Sequence, residues 1–530
     1  MYQLTRIAAL AALLSCCSIA AAHEGEEKGK LGTVKFANSC APAVQQELQR
    51  GVAMLHSFWY SEGEKTFRNV LAKDPGCAIA TWGVASILMS NPLGGLGASP
   101  KGAAAAQAAI EQGRKAGAKT QRERDYIEAA AAYYQDFSTR SERSRQESRA
   151  KAYEALAARY PTDDEAQIFY ALYLAGTQSQ ADQSYAAYLK AAAILEKQFV
   201  KYPDHPGVAH YLIHSYDAPP IAKEGLNAAR RYASIAPDAP HALHMPSHIF
   251  TRVGAWEDSM ATNQRSAAVA VKGGEPDEAY HASDYTVYAA LQLARDAEAK
   301  RTMEEAVKVM GFNPARNTAF YATAAMSARL VLERGAWAEA AQLKVTESKF
   351  VYSDALLWFA RAIGAARSGN ADAADKDAEQ LAVIHKLLQK DNNNYWATEV
   401  EIQRLAAAGW IALARGNSEA ALKFMRAAAD LEDKNEKHII TPGRMLPARE
   451  LLGDMLLELK QPAQALTEYE SSQLREPNRF RGYFGAARAA DGAGDRAKAR
   501  AYYEKLLALA KNADTQRSEL AQARSYVAQR

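Results

Sequence analysis

Histidine is concentrated in one short part of this chain. Seven of the eleven histidines lie between positions 205 and 281 of the 530 residues. Neutral imidazole is the commonest metal ligand in proteins and the usual proton-transfer group near neutral pH. This stretch is therefore where the sequence predicts chemistry. The seven residues are His205, His210, His214, His241, His244, His248 and His281.

The spacing of these histidines favours a metal site. His210 and His214 are one helical turn apart, and His241, His244 and His248 recur at i, i+3 and i+7. On a helix, each set projects from a single face. We predict that these five side chains bind a divalent transition metal, zinc in the first place, with copper, iron or manganese as alternatives.

Two further residues are candidates for a catalytic role beside the metal. His281 and Asp284 are spaced i, i+3 on the next predicted helix, where they could complete the site or transfer protons. Tyr211 stands where a zincin protease has its catalytic glutamate, which argues against that class of enzyme. A metal-free polar groove and simple packing of the rings are the alternatives to a metal site.

The rest of the chain predicts helices that recur as hairpins. It is rich in Ala, Leu, Glu, Lys and Arg, and Gly and Pro punctuate it at nearly regular intervals. The 34-residue tetratricopeptide (TPR) pattern has a small residue, an aromatic residue four positions later and Pro eight positions after that. Matches occur at Gly63, Phe67 and Pro75, at Ala465, Tyr469 and Pro477, and at Ala499 and Tyr503. We predict an all-α fold, a right-handed TPR-like superhelical solenoid of antiparallel helix hairpins.

The predicted solenoid brings the histidines together. In such folds the first helices of successive hairpins stack side by side and line the concave surface. The repeat register places first helices at 206–217, 240–253 and 277–293, and packed neighbours lie about 8–10 Å apart. Pro246 allows two arrangements: a helix that begins there and leaves His241 and His244 in a loop, or a helix that is kinked at the cluster.

The segment from Met1 to Ala22 predicts export. Arg6 precedes an apolar run over residues 7–14, and three alanines that end at Ala22 provide a cleavage site. We expect cleavage after Ala22 and a periplasmic or secreted protein. The alternative is a lipid anchor on Cys16. No later segment is apolar enough to predict a membrane helix.

Composition narrows the partners and the compartment. Lys and Arg total 64 against 61 Asp and Glu, and no basic block marks a nucleic-acid surface, so we expect no nucleic acid as partner.

After removal of the signal peptide, Cys40 and Cys77 are the cysteines that remain. In an oxidising compartment such a pair predicts a disulfide, with two buried free thiols as the alternative.

A second candidate site lies towards the C-terminal end. Arg449 and Glu450 fall on one predicted first helix. Together with Tyr288 they are candidates for binding a carboxylate or phosphate of a ligand in the groove. The alternative is an ion pair between Arg449 and a glutamate that joins two repeats.

Six segments of the chain have a distinctive sequence. They are Leu55-His-Ser-Phe-Trp-Tyr60, Asp74-Pro-Gly-Cys-Ala78, Glu123-Arg-Asp-Tyr-Ile-Glu128, His210-Tyr-Leu-Ile-His214, His244-Met-Pro-Ser-His-Ile-Phe250 and Pro447-Ala-Arg-Glu-Leu-Leu-Gly453. These segments resemble a family of exported bacterial tetratricopeptide-repeat proteins, over nearly the whole chain after the signal peptide. The motif that ends at Phe250 is more specific than a generic repeat. The resemblance implies a fold and a compartment, and it implies no activity.

These observations predict domains and a function. The predicted domains are residues 1–22 as signal peptide, 23–36 as a flexible segment, 37–137 as N-terminal helical repeats, 138–310 as central TPR-like repeats with the histidines and 311–530 as C-terminal TPR repeats. Our first hypothesis is an exported TPR-repeat protein with a transition-metal site in its concave groove, where it binds a peptide or protein ligand. The alternatives are a metal-dependent enzyme, either hydrolase or oxidoreductase, on a TPR scaffold, and a metal-free TPR assembly scaffold.

Overall fold

The computed structural model describes residues 29–529. The predicted signal peptide, Cys16 and residues 23–28 of the predicted flexible segment lie outside this range. Across residues 29–529 the regular elements are twenty-six α-helices and two short 3-10 helices, with no strand, which confirms the predicted all-α fold. In the same range, no helix combines the length and the apolar character needed to cross a membrane.

The helices follow one another along the chain as hairpins. The first eight are α1 (Gln45–His56), α2 (Tyr60–Lys73), α3 (Ile79–Leu88), α4 (Pro100–Ala116), α5 (Gln121–Tyr134), α6 (Glu142–Arg159), α7 (Asp164–Ala175) and α8 (Ala186–Lys201). The next seven are α9 (Pro206–Ser215), α10 (Leu226–Ile235), α11 (Pro240–His244), α12 (Pro246–Arg252), α13 (Trp256–Gly273), α14 (Pro276–Gln292) and α15 (Asp296–Ala306). The last eleven are α16 (Thr318–Leu332), α17 (Trp337–Ala340), α18 (Val351–Arg367), α19 (Ala371–Lys390), α20 (Asn394–Ala414), α21 (Ser418–Glu432), α22 (Ala448–Glu458), α23 (Pro462–Arg475), α24 (Phe480–Gly492), α25 (Arg496–Leu509) and α26 (Ser518–Ala528).

The second helix of a hairpin buries a narrow stripe, and the TPR residues form that stripe. In α2 both Gly63 and Phe67 are buried. α23 buries Ala465 and Tyr469 at the corresponding positions, and α25 does the same with its own small and aromatic pair. The small residue lets the neighbouring helix approach closely, and the aromatic ring fills the space beside it. The predicted repeat pattern is confirmed at these hairpins.

The chain before α1 packs onto the first hairpins. Leu31 and Phe36 are buried, and the Phe36 ring stacks on Trp82 with 4.9 Å between the ring centroids. This stretch belongs to the segment predicted to be flexible, yet burial of its apolar side chains anchors it. One hydrophobic core continues from Leu31 to Phe250 and crosses the predicted domain boundary at position 138 without a break.

The solenoid closes on itself through its C-terminal hairpins. The Trp256 indole N–H of α13 donates to the backbone oxygen of Asn478 at 2.7 Å. The Phe480 amide donates to the Gln292 side chain at 3.1 Å. A small core joins Ala294 to residues of α24, α25 and α26. The last helices therefore pack against α13–α15.

A long connection, residues 433–447 between α21 and α22, contacts the first helices of several hairpins; we call it the crossing segment. Its Glu436 side chain accepts a hydrogen bond from Tyr185 at 2.8 Å. Arg329 of α16 donates to the Thr441 hydroxyl and to the Gly443 backbone oxygen, both at 2.7 Å. The crossing segment thereby covers part of the groove that the sequence predicted to be open.

Cys40 and Cys77 form the predicted disulfide. Their Cα atoms are 4.7 Å apart, and 37 positions separate them in the sequence. The bond joins the chain before α1 to the turn between α2 and α3. It therefore ties both ends of the first hairpin together.

Reduction of this disulfide should lower the free energy of unfolding by about 2–4 kcal/mol, because the opened chain gains more conformational entropy on unfolding. Chemical denaturation with and without reductant measures the loss, and a Cys40→Ser/Cys77→Ser variant is the control that reductant should not affect. Thiol titration of the denatured, unreduced chain from residue 23 onwards should find no free cysteine. Two free thiols in that experiment would contradict the disulfide.

Candidate metal centre

Three successive first helices carry the clustered histidines, and each begins with proline. Pro206, Pro240 and Pro276 stand at the start of α9, α11 and α14. A proline there sacrifices no hydrogen bond, because the first N–H groups of a helix have no intrahelical acceptor. The prolines fix where each helix begins and so which face its histidines occupy.

Two histidines four positions apart occur on α9 and again on α11 and α12, which together form the next helical path. His244 and His248 follow His210 and His214 at the period of one TPR repeat. Pro246 interrupts the second path, since α11 ends at His244 and α12 begins at Pro246. The chain is helical on both sides of the break. The loop alternative is wrong, because His241 and His244 lie on the helix α11.

The histidines form two groups of three. In each group, one ligand nitrogen from every residue lies within 4.8 Å of the other two. Each group takes two histidines from one first-helix path and the third from the next. The sequence analysis assigned five ligands to a single site; the structure divides these five between two groups and adds a sixth. The first group is His210, His214 and His241, and the second group is His244, His248 and His281.

Two nitrogens in each group face each other at nearly the spacing of metal ligands. His210 Nε2 is 3.1 Å from His214 Nε2, and His244 Nε2 is 3.0 Å from His248 Nε2. Two nitrogens that bind one tetrahedral ion at about 2.0–2.1 Å are separated by about 3.3 Å. Each pair therefore needs little movement to bind an ion.

Hydrogen bonds behind the second group turn its lone pairs inwards. His244 Nδ1 is 2.7 Å from Oδ1 of Asn263, and the amide of Asn263 is oriented by its own donation to the Ser259 backbone oxygen. His248 Nδ1 is 2.9 Å from a carboxylate oxygen of Asp217. Because both partners are acceptors, both Nδ1 atoms carry the proton and both Nε2 atoms present lone pairs to each other. Such lone pairs repel unless a cation lies between them.

A proton does not provide this cation at neutral pH. Burial lowers the pKa of His244 well below the usual histidine value and also lowers the pKa of His248, so both rings are neutral. Although burial would raise it, the charges of Lys437 and Arg252 hold the pKa of Asp217 well below its usual range. This carboxylate is therefore ionised and accepts a hydrogen bond from His248 Nδ1. The second group has the arrangement of a metal site whose ligands are oriented by acceptors behind them.

The first group has the same arrangement at two of its three residues. His210 Nδ1 is 2.6 Å from the backbone oxygen of His56, and His241 Nδ1 is 3.1 Å from a carboxylate oxygen of Glu278. Both nitrogens donate, so in the neutral ring Nε2 carries the lone pair. The His241 Nε2 atom is buried and lacks a hydrogen-bond partner within residues 29–529. A cation bound by the first group would supply the missing partner.

A further histidine network supports the first group from behind. The Glu165 carboxylate accepts hydrogen bonds from His56 Nε2 at 2.9 Å and from His205 Nε2 at 3.0 Å. Gly207 makes room for the His56 ring, since a Cβ atom there would lie 2.3 Å from His56 Nδ1. The network holds the His56 backbone oxygen in place against His210.

Four of the six histidines in the two groups line a cavity of about 120 Å³. They are His214 and His241 from the first group and His248 and His281 from the second. The loop at residues 90–96 and the crossing segment contribute other parts of the wall. A cavity of about 150 Å³ accommodates benzene, so this cavity has the size for a small molecule.

The two candidates for catalysis have different surroundings. The ring centroid of His281 is 4.3 Å from that of His244, which places His281 as the third member of the second group. Asp284 accepts a hydrogen bond from Arg329 at 3.1 Å, and burial raises the pKa of Asp284 to about 6. Because Arg329 also holds the crossing segment, Asp284 is linked to that segment.

The residues of the second candidate site take part in ion pairs. Arg449 donates to Asp433 at 2.9 Å and to a carboxylate of α23 at 2.5 Å. Glu450 is buried and accepts from Arg479 at 2.8 Å, and the same guanidinium contacts the Tyr288 hydroxyl. These are contacts of the kind that the ion-pair alternative predicted. A role of these residues in ligand binding stays a prediction.

The sequence analysis missed several residues that orient the ligands. Asn263 lies on a second helix, α13, and Lys437 lies in the crossing segment, and no spacing in the sequence points to either. Glu278 precedes His281 at i, i+3 on α14, and Asp217 follows His214 at the same spacing. That spacing is a signal that identifies candidate orienting residues.

Comparisons with known proteins add little to these observations. No family model matches the sequence, and no curated protein matches it. Among solved structures, the crystal structure of the APC/C hetero-tetramer Cut9-Hcn1 aligns over 92% of this chain and 96% of that chain, with 13% sequence identity and a TM-score of 0.29. A TM-score this low supports no conclusion about the fold or the function of this chain. The fold assignment rests on the helical hairpins themselves.

The two groups predict two bound ions per chain. His214→Ala and His248→Ala each remove one ligand from one group, so each variant should lose one ion and retain the other. Metal content after equilibrium dialysis measures this, and His385→Ala on α19 is the control that should retain both. If either variant loses all bound metal, both histidine pairs belong to a single site and the division into two groups is wrong.

Proposed function

We propose that this protein is an exported metalloenzyme that acts on a small molecule, with two transition-metal ions bound by the two histidine groups. The observation that carries this proposal is that both groups, with lone pairs directed inwards, open onto one small cavity. Among the hypotheses left open by the sequence, this is the metal-dependent enzyme on a TPR-like scaffold.

Three protein ligands per ion favour catalysis over a structural role. Structural zinc sites are closed by four protein ligands, whereas catalytic sites keep a position for water or substrate. The Tyr285 hydroxyl is 3.5 Å from His248 Nε2 and donates to the Ile439 backbone oxygen at 3.1 Å. It therefore ties the crossing segment to the edge of the second group.

The cover of the cavity favours a small substrate over a peptide. A peptide in this part of the groove would have to displace the crossing segment. Displacement would break the hydrogen bonds that Arg329 makes to Thr441 and Gly443 and leave Asp284 as the partner of this buried guanidinium. Hydrogen bonds of a charged group contribute about 1.5–3 kcal/mol each. A substrate the size of the cavity requires no such displacement.

The disulfide supports the export part of the proposal. Disulfides persist in oxidising compartments and are rare in the cytosol, and Cys40 and Cys77 are bonded. We therefore propose a periplasmic or secreted location, reached through the predicted signal peptide at residues 1–22. The alternative of a lipid anchor on Cys16 leads to the same compartment.

Small anions test whether the ions keep open coordination positions. In protein loaded with cobalt(II), azide should change the visible absorption spectrum, because azide enters a vacant position on the ion. Chelation of the metal should lower the melting temperature by the lost binding free energy but should not unfold the protein, since a catalytic ion is not required to hold the hairpins together. Absence of an azide response combined with unfolding on chelation would identify structural ions and contradict the proposal.

A further inference from the structure

The two groups border the same space. Each group contributes two rings to the wall of the cavity, and its third ring, His210 or His244, is not part of the wall. A single small ligand in the cavity would therefore lie beside both groups.

The two groups are close neighbours. Between the groups, the ring centroids of His214 and His248 are 5.7 Å apart, and those of His241 and His244 are 5.9 Å apart. Within each group, the helical pair has centroids 4.9 Å apart. The rings are thus almost as close between the groups as within them. Ions bound by two groups this close together would be neighbours, as in a dinuclear centre.

The charges around the two groups favour monovalent ions. All six ligands are imidazoles, which bind a metal ion in the neutral form. The charged side chains linked to them by ion pairs are the carboxylates of Asp217, Glu278 and Glu436 and the cations of Arg252, Lys437 and Arg475. These six groups carry no net charge. Two divalent ions would therefore create a net charge of four in a largely buried site, and two monovalent ions a net charge of two, which is far less costly to bury.

The ligand set and the charge together favour copper. Imidazole suits zinc, copper, iron and nickel, and copper is the member of this set that is stable as a monovalent ion. Carboxylates, which manganese sites and non-haem iron sites use as ligands, stand behind the rings at Nδ1 of His241 and His248. The remaining ligands are imidazole nitrogens, which suit a metal that can be bound by imidazoles alone.

We infer that the two groups hold a pair of Cu(I) ions that together bind one molecule of dioxygen in the cavity, an inference that rests on the proposed function. Dioxygen takes up two electrons, one from each Cu(I) ion, and both ions become Cu(II). No bond within the protein forms or breaks, and the step needs no other reactant. The cavity, with room for a small molecule, admits dioxygen between the two groups.

Anaerobic loading with Cu(I), followed by admission of dioxygen, tests the inference. We expect two copper ions per chain and the uptake of one dioxygen molecule for every two ions. Electron paramagnetic resonance should then detect only a small minority of the copper, because the unpaired electrons of two Cu(II) ions that share a ligand couple and cancel. Protein loaded with zinc is the control and should take up no dioxygen.

A ligand variant makes the test specific. His281→Ala removes one ligand of the second group and should abolish most of the dioxygen uptake, while His385→Ala should behave like the wild type; circular dichroism shows whether each variant folds. Two ions that both give a full resonance signal, or tight binding of zinc without binding of Cu(I), would overturn the inference and leave the proposed function standing. A chain that binds no transition metal would overturn the proposed function itself.

Discussion

The position of the proton on each buried imidazole is the constraint on which the site depends. His210, His241, His244 and His248 all place Nδ1 against an acceptor, which is a backbone oxygen, a carboxylate, an amide oxygen and a second carboxylate respectively. In the neutral ring, each Nε2 atom therefore carries a lone pair. Without a cation the lone pairs of His244 and His248 face each other at a cost; with one, they become ligands that are already oriented. Such preorganisation reduces the entropy lost when the ion binds.

The repeat architecture explains why two groups arise side by side. A hairpin that recurs at the TPR period places equivalent pairs, His210 with His214 and His244 with His248, on adjacent helical paths. The third members, His241 and His281, come from the following helix and are farther apart in the sequence than one repeat period, so the two groups are similar without being identical. The crossing segment then converts a shared groove into a cavity. A solenoid alone would leave this surface open to bulk water.

Features that depend on neighbours in the chain were predictable, and contacts between distant parts were not. The helices, the TPR positions and the interruption at Pro246 follow from local pattern, because propensity and a missing N–H act over a short stretch of chain. The separation into two groups depends on how α9, α11 and α14 are rotated against one another, which spacing does not determine. The crossing segment carries no repeat, and one of its contacts joins residues 251 positions apart. Sequence reasoning therefore predicted one site in an open groove.

The most direct test of two metal sites is anomalous X-ray scattering from crystals of the metal-loaded protein. Data collected on both sides of the absorption edge of the bound metal locate each ion independently of the protein atoms. We expect two peaks per chain, one in each group of three histidines, with imidazole nitrogens at about 2.0–2.1 Å from each ion. A single peak between the groups, or ions bound by carboxylates with the six histidines unused, would contradict the account.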